Sequence, residues 1–569
     1  MKFQFGSRKS LTSVILGFIL LSSPLAHAKN RAPEFVPGEL IVGLKSGVAL
    51  KSAQFNIQST IIQSFGNQVL SIQALESDEK VQIVKFKDAA KIKGIVATLK
   101  NNPAVRYVEP NYIYRTFSVP NDPEFARQWD MHNTGQMDKP VVAGDPRPAQ
   151  AGNAGSDIRV KALWDRGIVG NRDILVAVID TGIDYTHPDL AANMYTNPGE
   201  IPGNGIDDDS NGVIDDVHGA NFTGATPVGN GLDDNKHGTH CAGTIGAVGN
   251  NGTGIVGVNW EASIMPVKFL DANGSGTLAN ALSSINYATQ MGAKVMSNSW
   301  GGGGYSQALY DAIKKARDAG ILFVAAAGND ASDNDGVPSY PASYQLDNIV
   351  SVAATDNRDA LASFSNYGKN SVHVAAPGKN ILSTVPGGGY EIFSGTSMAC
   401  PHVSGMATLL WSENPSLTYL EVKDRLIATS TPVASLRSGV VAKGRVNTVN
   451  LVDNFVPPSN EPKASDWVTE SYALESTHPY VDNLDQAFTI SVPGAKHIRV
   501  VFKKFETEPS YDTVSVEDSS GQVMERISGL RPVGYVTDYI NGDQLILRLK
   551  SDYSGSAYGF KIAEIQVVR

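Results

Sequence analysis

Asp180, His237 and Ser397 each stand among small residues, and between them they hold the three groups that turn a hydroxyl into a nucleophile. A hydroxyl attacks poorly until an imidazole accepts its proton, and the imidazole must be held in one tautomer by a carboxylate. Ser397 lies in Gly395-Thr-Ser-Met-Ala-Cys-Pro-His-Val-Ser-Gly405. Crowding by small residues, with Pro401 four positions on, suits the start of a buried helix, whose unpaired N–H groups and positive dipole end would face an attacked carbonyl. Asp180 ends the apolar run Ile174-Leu-Val-Ala-Val-Ile-Asp180 and precedes the turn Thr181-Gly182. Such a run reads as a buried parallel strand, and residues at the C-terminal ends of such strands line the functional edge of an open α/β sheet. His237 opens a second small-residue helix, His237-Gly-Thr-His240-Cys241-Ala-Gly243.

Each piece alone has a plainer reading. Asp180 in Asp-Thr-Gly would serve as a turn residue, or would mark an aspartic peptidase, but no second Asp-Thr-Gly or Asp-Ser-Gly occurs. His240 follows His237 by three and suggests a metal pair, yet the Glu of a His-Glu-x-x-His zinc helix is missing, so His240 reads as a packing residue.

The chain order Asp, His, Ser and the residues around each resemble the subtilases, the subtilisin-like serine peptidases, over roughly Asn121 to Asn454. The resemblance implies that Asp180 orients His237, that His237 acts as base and then acid, and that Ser397 forms an acyl-enzyme. It implies that Asn329, after the apolar run Ile321 to Ala327, donates to the oxyanion, a contribution of about 3 kcal/mol in such enzymes. The implied fold is α/β: a mostly parallel sheet flanked by helices, after a small α+β propeptide and before an all-β sandwich. Substrate would lie extended between Gly274-Ser275-Gly276 and Ser299-Trp300-Gly301, pairing through its backbone, which predicts broad specificity. Asp333 to Tyr344 would contribute the S1 wall, with Ser339 near its floor and apolar or mixed residues favoured at P1. Two rivals remain at this point. One is a catalytically silent scaffold that binds through its C-terminal sandwich, against which four intact catalytic positions argue; the other is a metallohydrolase built on an acidic loop.

The surrounding chain bounds these readings. At 569 residues and 42% hydrophobic content it holds several ordinary globular domains. Residues 1–28 read as a secretory signal: Lys2, Arg8 and Lys9 precede the apolar run Leu11 to Leu21, and Ala26-His27-Ala28 supplies the cleavage pattern. A membrane anchor is the alternative, but the run is short for a span. The protein is therefore expected to be exported, to the medium or a periplasm, without a membrane anchor; a monomer is expected. Residues 29–118 read as a propeptide, with strands Gly38–Leu44, Val81–Phe86 and Val105–Tyr112 and a helix Ala89–Leu99. In subtilases this part assists folding, inhibits the enzyme in cis and is cut away, here between Arg115 and Asn121. It carries 12 Lys and Arg against 7 Asp and Glu, opposite in sign to the whole chain at −10, which favours its association with the acidic remainder; acidity that serves solubility alone is the alternative. That acidity also argues against a nucleic-acid partner, and the resemblance to subtilases implies polypeptide substrates.

The catalytic domain is set at 119–454, a proline-rich linker at 455–465 and a sandwich at 466–569. Strands are expected at Ala487–Val492, Ile498–Phe502, Thr513–Val516 and Gln544–Leu549. Tyr511 to Val516, Ser551-Asp-Tyr-Ser and Tyr558-Gly-Phe560 resemble a CUB domain without its usual cysteines, which implies calcium-binding acids at Glu506, Asp512 and Asp552, or else only surface charge.

Two more structural calcium sites are expected. In the acidic insertion, Asp207, Asp209 and Asn211 alternate before Gly212 like the start of an EF-hand loop, with Val213 and Asp215 continuing it, although no glutamate stands at the twelfth position. A solvated acidic loop is the alternative. The other site follows from the resemblance: Asp122, Asp189 and Asn251 match calcium positions of thermitase-like subtilases, completed by carbonyls of Thr253 and Ile255. Cys241 and Cys400, the chain's two cysteines, read as buried thiols beneath the triad or as one disulfide.

Overall fold

The apolar run ending in Asp180 is the C-terminal half of the strand Gly170–Asp180, and everything from Val176 to Asp180 is buried. The structure, a computed structural model, describes residues 35–88, 91–112, 119–141, 149–459, 461–509 and 511–569. The expected signal segment 1–28 and most of the expected maturation stretch lie outside the described residues. Gly170–Asp180 pairs in parallel with Glu261–Lys268 on one side and Val295–Asn298 on the other. Ala220–Asn221 extends the first side; Leu322–Ala326, Ile349–Thr355, Val374–Pro377 and Gly444–Arg445 extend the second, all parallel. Thr431–Pro432 adds an antiparallel edge. Strand order thus reverses between Gly170–Asp180 and Val295–Asn298, and such a reversal opens a crevice at the carboxyl ends of the strands.

Alternate faces of these strands feed two cores. Val176 and Val178 pack with Ile245 of the helix His237–Gly246 and Val403 and Met406 of the helix Thr396–Glu413. Ala177 and Ile179 pack instead with Ile285 of Leu278–Gln290 and Ile313 of Gln307–Asp318. Thr396–Glu413 is buried all round from Met398 to Ser412, as a helix crossing the centre of a layered domain must be. Ser397 lies in its first turn, and Pro401, four residues on, sits inside the helix. Its missing N–H leaves the Ser397 carbonyl without a helical donor.

The described residues from Phe35 to Tyr112 belong to a separate compact unit. Its antiparallel sheet is ordered Val69–Leu75, Asp78–Phe86, Phe35–Leu44, Val105–Tyr112, and the helices Leu50–Phe65 and Ile92–Leu99 complete a βαββαβ unit. The first helix and the strand Val69–Leu75 went unforeseen, because Ser and Thr interrupt an apolar stripe of which Ala53, Ile57 and Ile61 are buried. The described residues from Val119 to Arg569 belong to the second unit, which therefore includes the C-terminal sandwich. One sheet there is ordered Asp485–Ser491, Gln544–Lys550, Thr513–Asp518, Val523–Ile527; the other joins Val468–Glu475, Gly559–Val568 and His497–Glu506. Ile490, Val500, Val516 and Leu547 fill the space between. Among the described residues, no helix is long and apolar enough to cross a membrane.

Candidate active site

Asp180 sits at the carboxyl end of the central strand, where its Oδ1 accepts from the Thr181 N–H at 2.7 Å and from His237 Nδ1 at 2.8 Å. A carboxylate only accepts, so Nδ1 carries the proton and Nε2 is left free to act as a base. Burial works against the charged imidazole, but the Asp180 charge and hydrogen bond, with Asp233 beyond, outweigh it and raise the His237 pKa above its ordinary value.

Asp233, which sequence reading missed, fixes the start of this helix. Its Oδ1 accepts from Thr181 Oγ1 at 2.9 Å, Asn235 N–H at 2.8 Å and Lys236 N–H at 3.0 Å; its Oδ2 accepts from Thr239 N–H at 3.0 Å and Oγ1 at 2.6 Å. An acid just ahead of a helix N-terminus was the signal available for it. Lys268 was missed too. Buried at the end of the neighbouring strand, it donates to the Thr181 carbonyl at 2.6 Å, the Leu270 carbonyl at 2.9 Å and Asp234 at 2.7 Å. It thereby ties the turn after Asp180 to the segment leading into Gly274–Gly276, with all three ammonium hydrogens satisfied.

Ser397 is joined to Ser299 in both directions. Its hydroxyl donates to the Ser299 carbonyl at 3.1 Å, while Ser299 Oγ donates to the Ser397 carbonyl at 2.9 Å, and Cys241 Sγ reaches the same carbonyl at 3.5 Å. These two side chains satisfy the acceptor that Pro401 leaves without a helical partner. With His237 and Asn329, Ser397 lines one cleft; proton transfer to His237 requires the hydroxyl to swing off the Ser299 carbonyl. Asn329 Oδ1 accepts from Thr396 N–H at 2.8 Å and Thr396 Oγ1 at 3.0 Å, which orients the side chain and keeps its Nδ2 hydrogens for another acceptor.

Gly274, Ser275 and Gly276 face Ser299, Trp300 and Gly301 across a second cleft of about 730 Å³ that also reaches His237. Phe269, Leu278, Ala281 and Leu309 give it apolar walls. A side chain is excluded at Gly276, where a Cβ would stand 2.5 Å from the Phe269 carbonyl, too close for any real side chain. Ser339 Oγ lies beneath, 3.9 Å and 3.3 Å from where Cβ atoms of Gly301 and Gly328 would be.

Both cysteines are buried and free, so thiols rather than a disulfide stand here. Burial raises the Cys241 pKa well above the ordinary value and pushes Cys400 up to about 11, so neither offers a thiolate. Cys241 lies with Asp180 and His237 in a group whose ligand atoms are close to one another, but Asp180 Oδ1 and His237 Nδ1 are already engaged with each other at 2.8 Å. His240 packs as expected: its Nε2 stands 3.1 Å from the carbonyls of Ile381 and Glu391, and its ring stacks on Phe393.

The acidic groups differ from expectation in membership. Asp122 and Asp189 are both buried, and burial followed by mutual repulsion pushes Asp189 up to about 6 despite three hydrogen bonds. Asn251 Nδ2 and Ile255 N–H donate to Asp189 at 2.8 Å and 2.9 Å, and the Asn250 N–H donates to Asp122 at 2.8 Å, closing the loop that carries Thr253. Two buried carboxylates meeting here fit a divalent cation. In the acidic insertion, the ligand atoms that converge belong to Glu200, Asp207 and Asp209. Glu200 Oε2 is buried without a partner. Asp215 stands apart from these three and accepts from the N–H groups of Asn204 and Gly205, while Asn211 donates to Asp209 and Asp216 and accepts from the Val213 N–H. In the sandwich, Glu508 joins Asp512 and Asp552, not Glu506. Glu506 is held in the sheet opposite Leu530 and Gly559, whereas Glu508 lies in the turn whose carbonyl accepts from the Asp512 N–H.

Three family descriptions match successive parts of the chain: a fervidolysin N-terminal prodomain over residues 22–111, the subtilase family over 171–454 and a CUB domain over 464–563. The chain is 34% identical to the thermophilic serine proteinase of Bacillus sp. (strain AK1) over 70% of its own length and 88% of that protein. It is 32% identical to subtilisin J of Geobacillus stearothermophilus, covering 96% of it. With subtilisin-like protease 1 of Plasmodium berghei it shares 37% identity over half of each chain, so it spans only half the length of that relative.

Proposed function

We propose that this chain, which belongs to the subtilase family of serine endopeptidases, is an exported zymogen that hydrolyses proteins with broad specificity through an acyl-enzyme on Ser397. The observation that carries this reading is the 2.8 Å bond from His237 Nδ1 to Asp180, in a cleft that Ser397 and Asn329 share. His237 Nε2 takes the hydroxyl proton as Ser397 attacks the scissile carbonyl. Asn329 Nδ2 and the Ser397 N–H hold the oxyanion, and His237 then protonates the leaving amine. Water repeats the sequence to release the acid. Substrate pairs through its backbone with Gly274–Gly276 and Ser299–Gly301, with its P1 side chain directed toward Ser339, so most side chains are tolerated. Residues 29–118 act as inhibitor and folding aid in cis until the enzyme removes them, and residues 466–569 form the CUB-like domain beyond a linker at 455–465. Labelling by a fluorophosphonate, with parallel loss of casein hydrolysis, tests the assignment; full activity in the labelled protein would refute it.

The base must be neutral to act, and its pKa is raised. The acid limb of kcat/KM therefore lies above the pH at which a free histidine titrates, with activity falling as pH drops through it. Asp233→Asn removes one raising charge and moves that limb to lower pH; a limb that stays or rises would contradict the electrostatic account.

Calcium is the proposed structural cofactor, held by Asp122, Asp189 and Asn251 with carbonyls of Thr253 and Ile255, by Glu200, Asp207 and Asp209, and by Glu508, Asp512 and Asp552. When bound, it supplies the positive charge these carboxylates lack. Without it, Asp189 folds with a raised pKa, so its contribution to stability falls as pH rises from about 4 toward 6. A cation present at a hundred times its dissociation constant stabilises by about 2.7 kcal/mol, so chelation is expected to lower the melting temperature by roughly 5–10 °C. Unchanged melting in EDTA would remove calcium from the account.

A further inference from the structure

The C-terminal sandwich belongs to the same compact unit as the catalytic sheet, and its contacts there are specific. The Arg437 guanidinium lies 3.4 Å from the centroid of the Tyr539 ring, donates to the Tyr539 carbonyl at 2.5 Å and stands 3.5 Å from the Asp538 carboxylate. Both side chains of that ion pair are about nine-tenths buried, at 9% and 11% exposure, so it is a desolvated anchor and not a surface pair. Ser438 Oγ donates to the Met524 carbonyl at 2.8 Å, and Ala434 packs on the sandwich core. Two further contacts reach another part of the catalytic domain. Arg531 Nη2 stands 3.6 Å from Asp333 Oδ2, and the Arg526 carbonyl accepts from the Tyr367 hydroxyl at 3.5 Å.

Asp333 and Tyr367 are themselves paired by an isolated parallel bridge. That bridge closes a laced segment. Asn366 Oδ1 accepts from the Asp330 and Ser332 N–H groups at 2.8 Å and 3.1 Å, its Nδ2 donates to Asn334 Oδ1 at 3.0 Å, and Asn334 donates from its backbone to Tyr367 and from its side chain to Ala327. Asn329 lies inside the laced segment. Ser339 follows it, past a turn in which the Gly336 and Val337 N–H groups close on the Asp333 carbonyl.

We propose that the C-terminal domain is a brace for the substrate cleft: anchored by Arg437, it holds the Asp333–Tyr367 bridge through Arg531 and the Arg526 carbonyl, and so fixes where Asn329 and Ser339 stand. This rests on the reading of Asn329 as an oxyanion donor and Ser339 as an S1 residue. Arg437 and Arg531 are positioning residues on this account, and the domain is a working part of the enzyme. A displacement of about 1 Å at a reacting centre can cost 10²-fold in rate, whereas a partly exposed ion pair contributes about 0–1 kcal/mol to stability. Loss of Arg531 is therefore read in kinetics before it is read in melting.

The test uses the full chain, matured with a trace of wild-type enzyme where needed, and separates kcat from KM on a peptide amide of several residues. Arg531→Glu is expected to lower kcat about tenfold with melting little changed, and Arg531→Lys to recover most of it. Arg437→Glu, which undocks the domain, is expected to lower kcat at least as far and to speed amide hydrogen exchange across residues 327–340. Wild-type kcat in both glutamate variants, or a loss confined to melting temperature, overturns the brace. Failure of the catalytic reading itself shows separately, as Asn329→Ala retaining wild-type kcat.

Discussion

Ser397→Ala lowers casein hydrolysis by about 10⁶-fold, the size of loss found when subtilisin itself is stripped of its serine, and leaves the chain uncut between its prodomain and the rest. The variant keeps the oxyanion donors and the substrate strands but has no oxygen on which an acyl group can form, so both hydrolysis of foreign protein and self-processing stop together. Its fold is expected to survive. The hydroxyl makes one hydrogen bond, to the Ser299 carbonyl, and the reciprocal bond from Ser299 Oγ uses the Ser397 backbone, which the substitution leaves in place. One such bond is worth about 1 kcal/mol net, so melting should move by only about 2–4 °C. Intact mass of the purified product, beside a casein assay, checks both halves. A variant that still matures and hydrolyses casein would transfer the chemistry to other residues, the acidic insertion first among them.

Asn329→Ala is expected to lower kcat by about 10²–10³ with KM little changed, the loss that removal of the oxyanion asparagine causes in subtilisin. Charge develops on the carbonyl oxygen only as attack proceeds, so a donor aimed at it acts on the transition state and not on substrate binding. The same side chain also accepts from Thr396 at the start of the catalytic helix, and truncation removes both roles at once. Asn329→Asp separates them: it retains an acceptor for the Thr396 N–H but presents an acceptor where the oxyanion needs a donor. Its kcat is expected to fall at least as far as that of the alanine variant. Near wild-type kcat in Asn329→Asp would reduce Asn329 to a helix-capping part.

Much of the catalytic geometry was legible in the chain because it is local. An apolar run ending in an acid, a histidine opening a small-residue helix and a serine opening another are patterns of neighbours, and strands and helices formed where those patterns lie. What the local pattern did not show is how Pro401 is accommodated inside the helix: Ser299 and Cys241, distant in sequence, satisfy the Ser397 carbonyl that it leaves without a helical donor. Which acids converge was likewise decided at long range. Glu506 and Glu508 are indistinguishable by spacing, and only the pairing of Glu506 into the sheet assigns the cluster to Glu508; Glu200 joins Asp207 and Asp209 only because its Oε1 accepts from the Asp208 and Asp209 N–H groups as the insertion folds back.

By itself, then, the sequence determined which side chains could do the chemistry, the strand or helix each would end or open, and the acidic segments able to hold a cation. Tertiary structure alone decided what those groups lean on: Asp233 at the head of the histidine helix, Lys268 between the Asp180 turn and the substrate strand, and the sandwich against the Asp333–Tyr367 bridge. The division has one physical cause. Backbone propensity and burial pattern act over a few residues, whereas a buried polar group takes whichever partner the closed fold brings within about 3 Å, and that partner carries no mark of its role in the linear chain.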